Sequence, residues 1–192
     1  MKYLSLLFFS LFCVSIVHAQ FTVNVYWTEQ SGMNAKDLIF YAPGKNLEWK
    51  DFKGEPVTTG PVAALTSSGF GYKADMKNQG DKGQINIAVY SFFSKSKSWV
   101  KPGNTTAYIL NHEQHHFDAS FIAAGIFIDK VKKMVITPAN CNIILPALYR
   151  ECCDIMNKMQ NEYDGQTKNV QLSEIQEKWN QFFAQKLSYF IR

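Results

Sequence analysis

Apolar and polar positions alternate with a period of two in the first half of the chain and recur at helical spacing in the second. Phe21-Thr22-Val23-Asn24-Val25-Tyr26 places aromatic and β-branched residues on one side of an extended segment and predicts a strand. Ala63 to Met76 and Ile85 to Phe93 are two further β-rich runs. Asn78-Gln79-Gly80-Asp81-Lys82-Gly83 between them has turn chemistry, so the pair predicts a hairpin. Between the first strand and the hairpin, Leu47 to Pro56 carries Trp49 and Phe52. These two are expected to plug the core at one end of the sheet, with Gly54 and Pro56 turning the chain.

The period changes after Pro102-Gly103-Asn104. From Thr105 to Met134 there is no proline and one glycine, Gly125, and the spacing predicts a long helix. A second helix is expected from near Pro146, as a first-turn proline, to about Asp164, where Gly165 can end it. Leu148, Cys152, Ile155, Met156, Met159 and Tyr163 form its apolar stripe. A third runs from about Ser173 to Phe190, with Ile175, Trp179, Phe182, Phe183 and Leu187 facing the core. Strands followed by helices define an α+β fold: a small, mostly antiparallel sheet packed on the long helix, with further C-terminal helices after it.

Residues 1–19 stand apart from this pattern. Lys2, the apolar run Leu4 to Val17 and the small-residue ending Val17-His18-Ala19 have the makings of a signal peptide cleaved after Ala19. The expected organisation is therefore 1–19 as signal and 20–192 as a single domain, periplasmic or secreted, with no stable membrane insertion. The 20 Lys+Arg and 16 Asp+Glu of the full chain are mixed along it with no polybasic block, which argues against a nucleic-acid partner. Cys141, Cys152 and Cys153 fall beyond the signal in a compartment that permits disulfides, and Cys141 could bridge to either of the others.

The chain has four histidines, and all but His18 lie in His112-Glu113-Gln114-His115-His116, an H-E-x-x-H motif on the long helix. One turn apart, His112 and His116 present two imidazoles on one face, and Glu113 beside them can reach a water there without being a ligand. Burying these groups without partners would be costly. A hydrolytic zinc site uses three protein ligands and leaves a position for water. His115 lies off that face and is expected to hydrogen-bond Asp118. The third ligand should then be a carboxylate from another element: Glu162 or Asp164 near the end of the second helix, ahead of Glu151 and Asp154. Helical phase slightly favours Glu162, unless the helix ends at Asp164.

His-Glu-Gln-His-His-Phe-Asp at 112–118 resembles the H-E-Q-x-H-F-D signature of the predicted secreted zinc-dependent proteases known as domain of unknown function 922. The likeness extends to 47–56, to Ala63-Ala64-Leu65-Thr66-Ser67-Ser68-Gly69, to Ser98-Trp99-Val100, to Tyr163-Asp164-Gly165-Gln166-Thr167, and to Gln171 followed by Trp179. It implies a zincin-like metallopeptidase acting on a peptide or protein substrate, with His112 and His116 as Zn2+ ligands and Glu113 as general base. The family's Y-D-x-E-T-x-H-G segment also implies Asp164 as the third ligand. This chain departs from that segment in having Gln166 for the Glu and Asn169 for the His. Those departures motivate an alternative: a non-catalytic envelope module that keeps the zincin-like fold and a structural metal to bind a peptide or glycan.

Overall fold

The computed structural model describes residues 20–191, apart from 33–35, 80–81 and 169. The signal segment 1–19, the tip of the hairpin turn and Asn169 lie outside the described residues. Secondary structure runs as β1 (Gln20–Trp27), β2 (Leu38–Phe40), a single 3-10 turn at Trp49–Asp51, β3 (Ala64–Leu65), β4 (Ser68–Gln79), β5 (Lys82–Ser94), β6 (Trp99–Val100), α1 (Ala107–Lys133), α2 (Cys141–Thr167) and α3 (Ser173–Phe190).

The fold is α+β, with a small mixed sheet and three helices. β5 is the centre of the sheet. β4 pairs along one edge of it in the expected antiparallel hairpin, from Ser68↔Phe93 to Gln79↔Lys82. β1 lies parallel on the other edge, and β2 continues that edge antiparallel at Phe92 to Ser94. The β-rich run from Ala63 is split in two: β3 leaves the main sheet and pairs antiparallel with β6 in a two-stranded ribbon. Trp49 and Phe52 close one end of the core as expected, with Phe52 against both Trp49 and Phe93. Gly54 is required by close packing: a Cβ there would stand 2.7 Å from the backbone oxygen of Ser96.

α1 runs through the middle of the molecule. Its apolar residues meet the sheet through Phe117, Phe121, Ala123, Ala124 and Phe127, and meet α2 and α3 through Ala119 and Ile122. Thr106 caps its start by accepting from the Ile109 N–H, and Lys130, Lys132 and Lys133 sit at its negative end. The stretch of α1 from His112 to Gly125 is enclosed by the sheet and the other two helices, so the polar residues from His112 to His116 are buried with it, while Ala107, Tyr108, Lys132 and Lys133 at its ends are exposed.

α2 departs from expectation at both ends. It starts at Cys141, ahead of Pro146, because the Asn140 side chain organises the preceding turn by accepting from the Thr137 N–H and donating to the Val135 carbonyl. Pro146 then sits in the second turn, inside the helix, where it has no N–H to offer the carbonyl of Asn142. At the other end the helix passes through Gly165 to Thr167, and Lys168 closes it in the left-handed region at φ 51. The early start also separates the cysteines. Cys141 and Cys152 lie on one continuous helix, about 16 Å apart along its axis, too far for a disulfide. All three thiols are free.

Candidate metal centre

One turn of α1 supplies His112, Glu113 and His116, and α2 brings Asp164 across to them. Asp164 Oδ1 is 3.0 Å from Nε2 of His112 and 3.0 Å from Nε2 of His116. The two Nε2 atoms are 3.3 Å apart. His112, His116 and Asp164 thus form a group that could hold a metal ion. The spacing fits the chemistry: ligand atoms in tetrahedral coordination at zinc–ligand lengths stand about 3.3 Å from one another.

Glu162 is not part of the group. It is exposed on α2 and faces Lys158 at 3.8 Å. Glu162 and Asp164 flank the buried Tyr163 at about 100° on opposite sides. Helical phase against the apolar stripe favours Glu162, and that preference is corrected together with the expectation that an unbroken helix would turn Asp164 away: the packing of α2 on α1 presents the Asp164 flank to the histidines.

The electrostatics are those of a coupled cluster. Burial alone would push the Asp164 carboxyl up, but hydrogen bonds to His112 and His116 override it and hold the group well below the usual carboxylate range. Burial opposes charge on His116, yet Asp164, Glu113 and a hydrogen bond to Gln160 raise its pKa. Glu113, only 4% exposed, is pushed up chiefly by burial. Its Oε2 has no hydrogen-bond partner among the described residues. A buried carboxylate oxygen needs a donor, and Glu113 lines an open cleft of about 260 Å³ together with His112, His116 and Asp164.

The turn that carries these groups is clipped to the strands beside it. Thr66 Oγ1 donates to the Glu113 carbonyl at 3.1 Å, and Ser68 Oγ donates to the His116 carbonyl at 3.0 Å. His115 points away from the cleft, as expected: its Nδ1 is 2.8 Å from Asp118 Oδ2, and Asp118 also accepts from Tyr41 and Gln114. Tyr163 lies beneath the ligands, stacked on the His112 ring at 4.3 Å between centroids and fully buried. Its hydroxyl meets Gln176 and is not a donor toward the cleft.

Two polar residues of α3, the buried Gln176 and the half-buried Asn180, were missed in the sequence. Gln176 Oε1 is 3.0 Å from His112 Nδ1, and Asn180 Oδ1 is 2.9 Å from His115 Nε2. The signal was present: at helical spacing, 176 and 180 fall on the same face as the apolar 179 and 183. Gln166, one of the two departures from the family segment, is exposed and accepts from Trp179 Nε1 at 3.1 Å, away from the ligands. No family model, curated protein or solved structure matches this chain.

Proposed function

We propose that this protein is an exported zinc-dependent metallopeptidase with a zincin-like fold. The observation that carries the reading is the convergence of His112 Nε2, His116 Nε2 and Asp164 Oδ1 beside Glu113, whose Oε2 has no partner among the described residues, in an open cleft. The H-E-Q-x-H-F-D motif supports it from the sequence, as does the export-type N-terminus. Two imidazoles and one carboxylate are a usual donor set for catalytic zinc, with one position left for water.

His112, His116 and Asp164 would hold the metal. When bound, zinc supplies Lewis acidity that brings the pKa of water toward neutrality and polarises a carbonyl. Glu113 takes the proton as water attacks the peptide carbonyl and then returns it to the leaving amine. Burial suits Glu113 to this work by making its carboxylate a stronger base than an exposed one. β3 lines the cleft and pairs with β6 on one edge only, which leaves its other edge for an extended peptide by strand addition. Val62, Leu65, Ile109 and Val170 give the cleft apolar walls for substrate side chains.

The test is metal content after purification, then cleavage of an unstructured protein with and without chelator. Stoichiometric zinc and chelator-sensitive cleavage are expected. Zinc without cleavage would favour the binding-module alternative, and absence of bound zinc would remove both.

A further inference from the structure

His112 is a useful ligand only in one of its two neutral tautomers: Nε2 must offer a lone pair, so Nδ1 must carry the proton. The hydrogen-bond polarity around α3 decides which tautomer is present. The polarity is set at the surface, by Glu177. Its carboxylate can only accept, and it lies 2.9 Å from Asn180 Nδ2, so that end of the Asn180 amide is the NH2 end. Asn180 Oδ1 therefore faces inward, where it accepts from Gln176 Nε2 at 3.2 Å, from Asn111 Nδ2 at 2.8 Å and from His115 Nε2 at 2.9 Å. This turns the Gln176 amide so that Oε1 points at His112 Nδ1, 3.0 Å away. A carbonyl oxygen cannot donate, so the proton sits on Nδ1. Gln176 Nε2 also meets the buried hydroxyl of Tyr163, whose ring backs the His112 imidazole.

The geometry points to Gln176 as the positioning residue of this site: it holds His112 with a proton on Nδ1 and so directs Nε2, which faces Asp164 Oδ1 at 3.0 Å in the metal-free protein, to the position a metal would take, and its own orientation is set by Asn180 and Glu177. This rests on the metal-centre reading for its consequence, but the tautomer itself is a property of the metal-free protein. Gln176 is 1% exposed, so water cannot substitute for it. The arrangement also makes α3 part of the site, although α3 contributes no ligand.

The experiment is 15N-imidazole NMR of the metal-free wild-type chain, and of Gln176→Leu and Gln176→Glu, followed by zinc competition titration of all three. His112 Nδ1 is expected to carry a proton protected from exchange in wild type and in Gln176→Glu, which keeps the acceptor oxygen. In Gln176→Leu that protection is lost, and zinc binding weakens by roughly 10- to 100-fold while Gln176→Glu stays near wild type. An unprotonated His112 Nδ1 in the wild-type chain overturns the inference whether or not the variants fold. So does an Nδ1 proton equally protected in a folded Gln176→Leu. A wild-type chain with the expected Nδ1 proton but no affinity for zinc would instead overturn the metal reading and leave the polarity chain standing.

Discussion

Asp164 reaches His116 from a different helix, with Oδ1 3.0 Å from Nε2, and the same oxygen is 3.0 Å from Nε2 of His112. This single contact ties α2 to the H-E-x-x-H turn and, on the proposed zinc reading, puts Asp164 where a third ligand would stand. Asp164→Ala should weaken zinc binding by at least about 10-fold. Glu162→Ala, which loses only an exposed ion pair to Lys158, should leave it unchanged. A zinc competition titration compares the two, and the reverse pattern would exclude Asp164.

Zinc should also stabilise the fold in proportion to its occupancy, because a ligand that binds only the native state adds RT ln(1 + [L]/Kd) to stability. At a hundredfold excess over Kd this is about 2.7 kcal/mol, or a rise in Tm of roughly 5–10 °C for a chain of this size. His112→Ala and His116→Ala should each abolish most of that rise. Thermal unfolding with zinc and with chelator gives the measurement, and an undiminished zinc response in the double variant would place the metal elsewhere.

How far the sequence announced this arrangement depends on the range of the interactions involved. α1 was legible because its signals are local: a proline-free run with an apolar period and a motif within five residues. The β4–β5 hairpin was legible for the same reason. The parallel pairing of β1 with β5 joins segments some sixty residues apart, and nothing in either strand specifies it. The start of α2 was misplaced because proline is a strong local signal, while the Asn140 side chain that begins the helix earlier acts through contacts with Val135 and Thr137. Phase against the apolar stripe of α2 favoured Glu162, because the flank of Tyr163 that meets the histidines is set by the packing of α2 on α1 and not by the period of the helix itself. Gln176 and Asn180 were not legible because an apolar period marks Trp179 and Phe183 and carries no information about the partners of polar residues on the same face.

Gly54 offers a test of the packing that holds the 47–56 segment against the sheet. Its N–H donates to the Ser98 carbonyl at 2.8 Å, and an added Cβ would meet backbone oxygens of Ser96 and Ser98 at 2.7 and 3.0 Å. Backbone oxygens in a paired turn cannot step aside as a flexible side chain would. Gly54→Ala should therefore destabilise the protein by about 1–3 kcal/mol. Chemical denaturation measures this, and a loss below about 0.5 kcal/mol would mean that the segment is free to shift.

Glu113 is expected to work for catalysis and against stability at the same time. As general base it should be indispensable: Glu113→Gln should keep zinc and lose at least about 100-fold in peptide cleavage. In the zinc-free protein the same substitution should be stabilising. Burial raises the folded-state pKa of Glu113 above its unfolded value. Between those two values the folded protein holds a proton that the unfolded chain has released, so stability falls as pH rises through that interval and stays lower above it. Gln has no proton to lose and fills the same space. The two proteins should thus have similar stability at pH values below the ordinary carboxylate range, and the variant should gain about 1–3 kcal/mol near neutrality. Thermal unfolding in chelator across that pH range reads the difference directly. A gap that is constant with pH would show that Glu113 does not titrate in the folded state as its burial demands, and a gap that opens at low pH would reverse the sign of the argument.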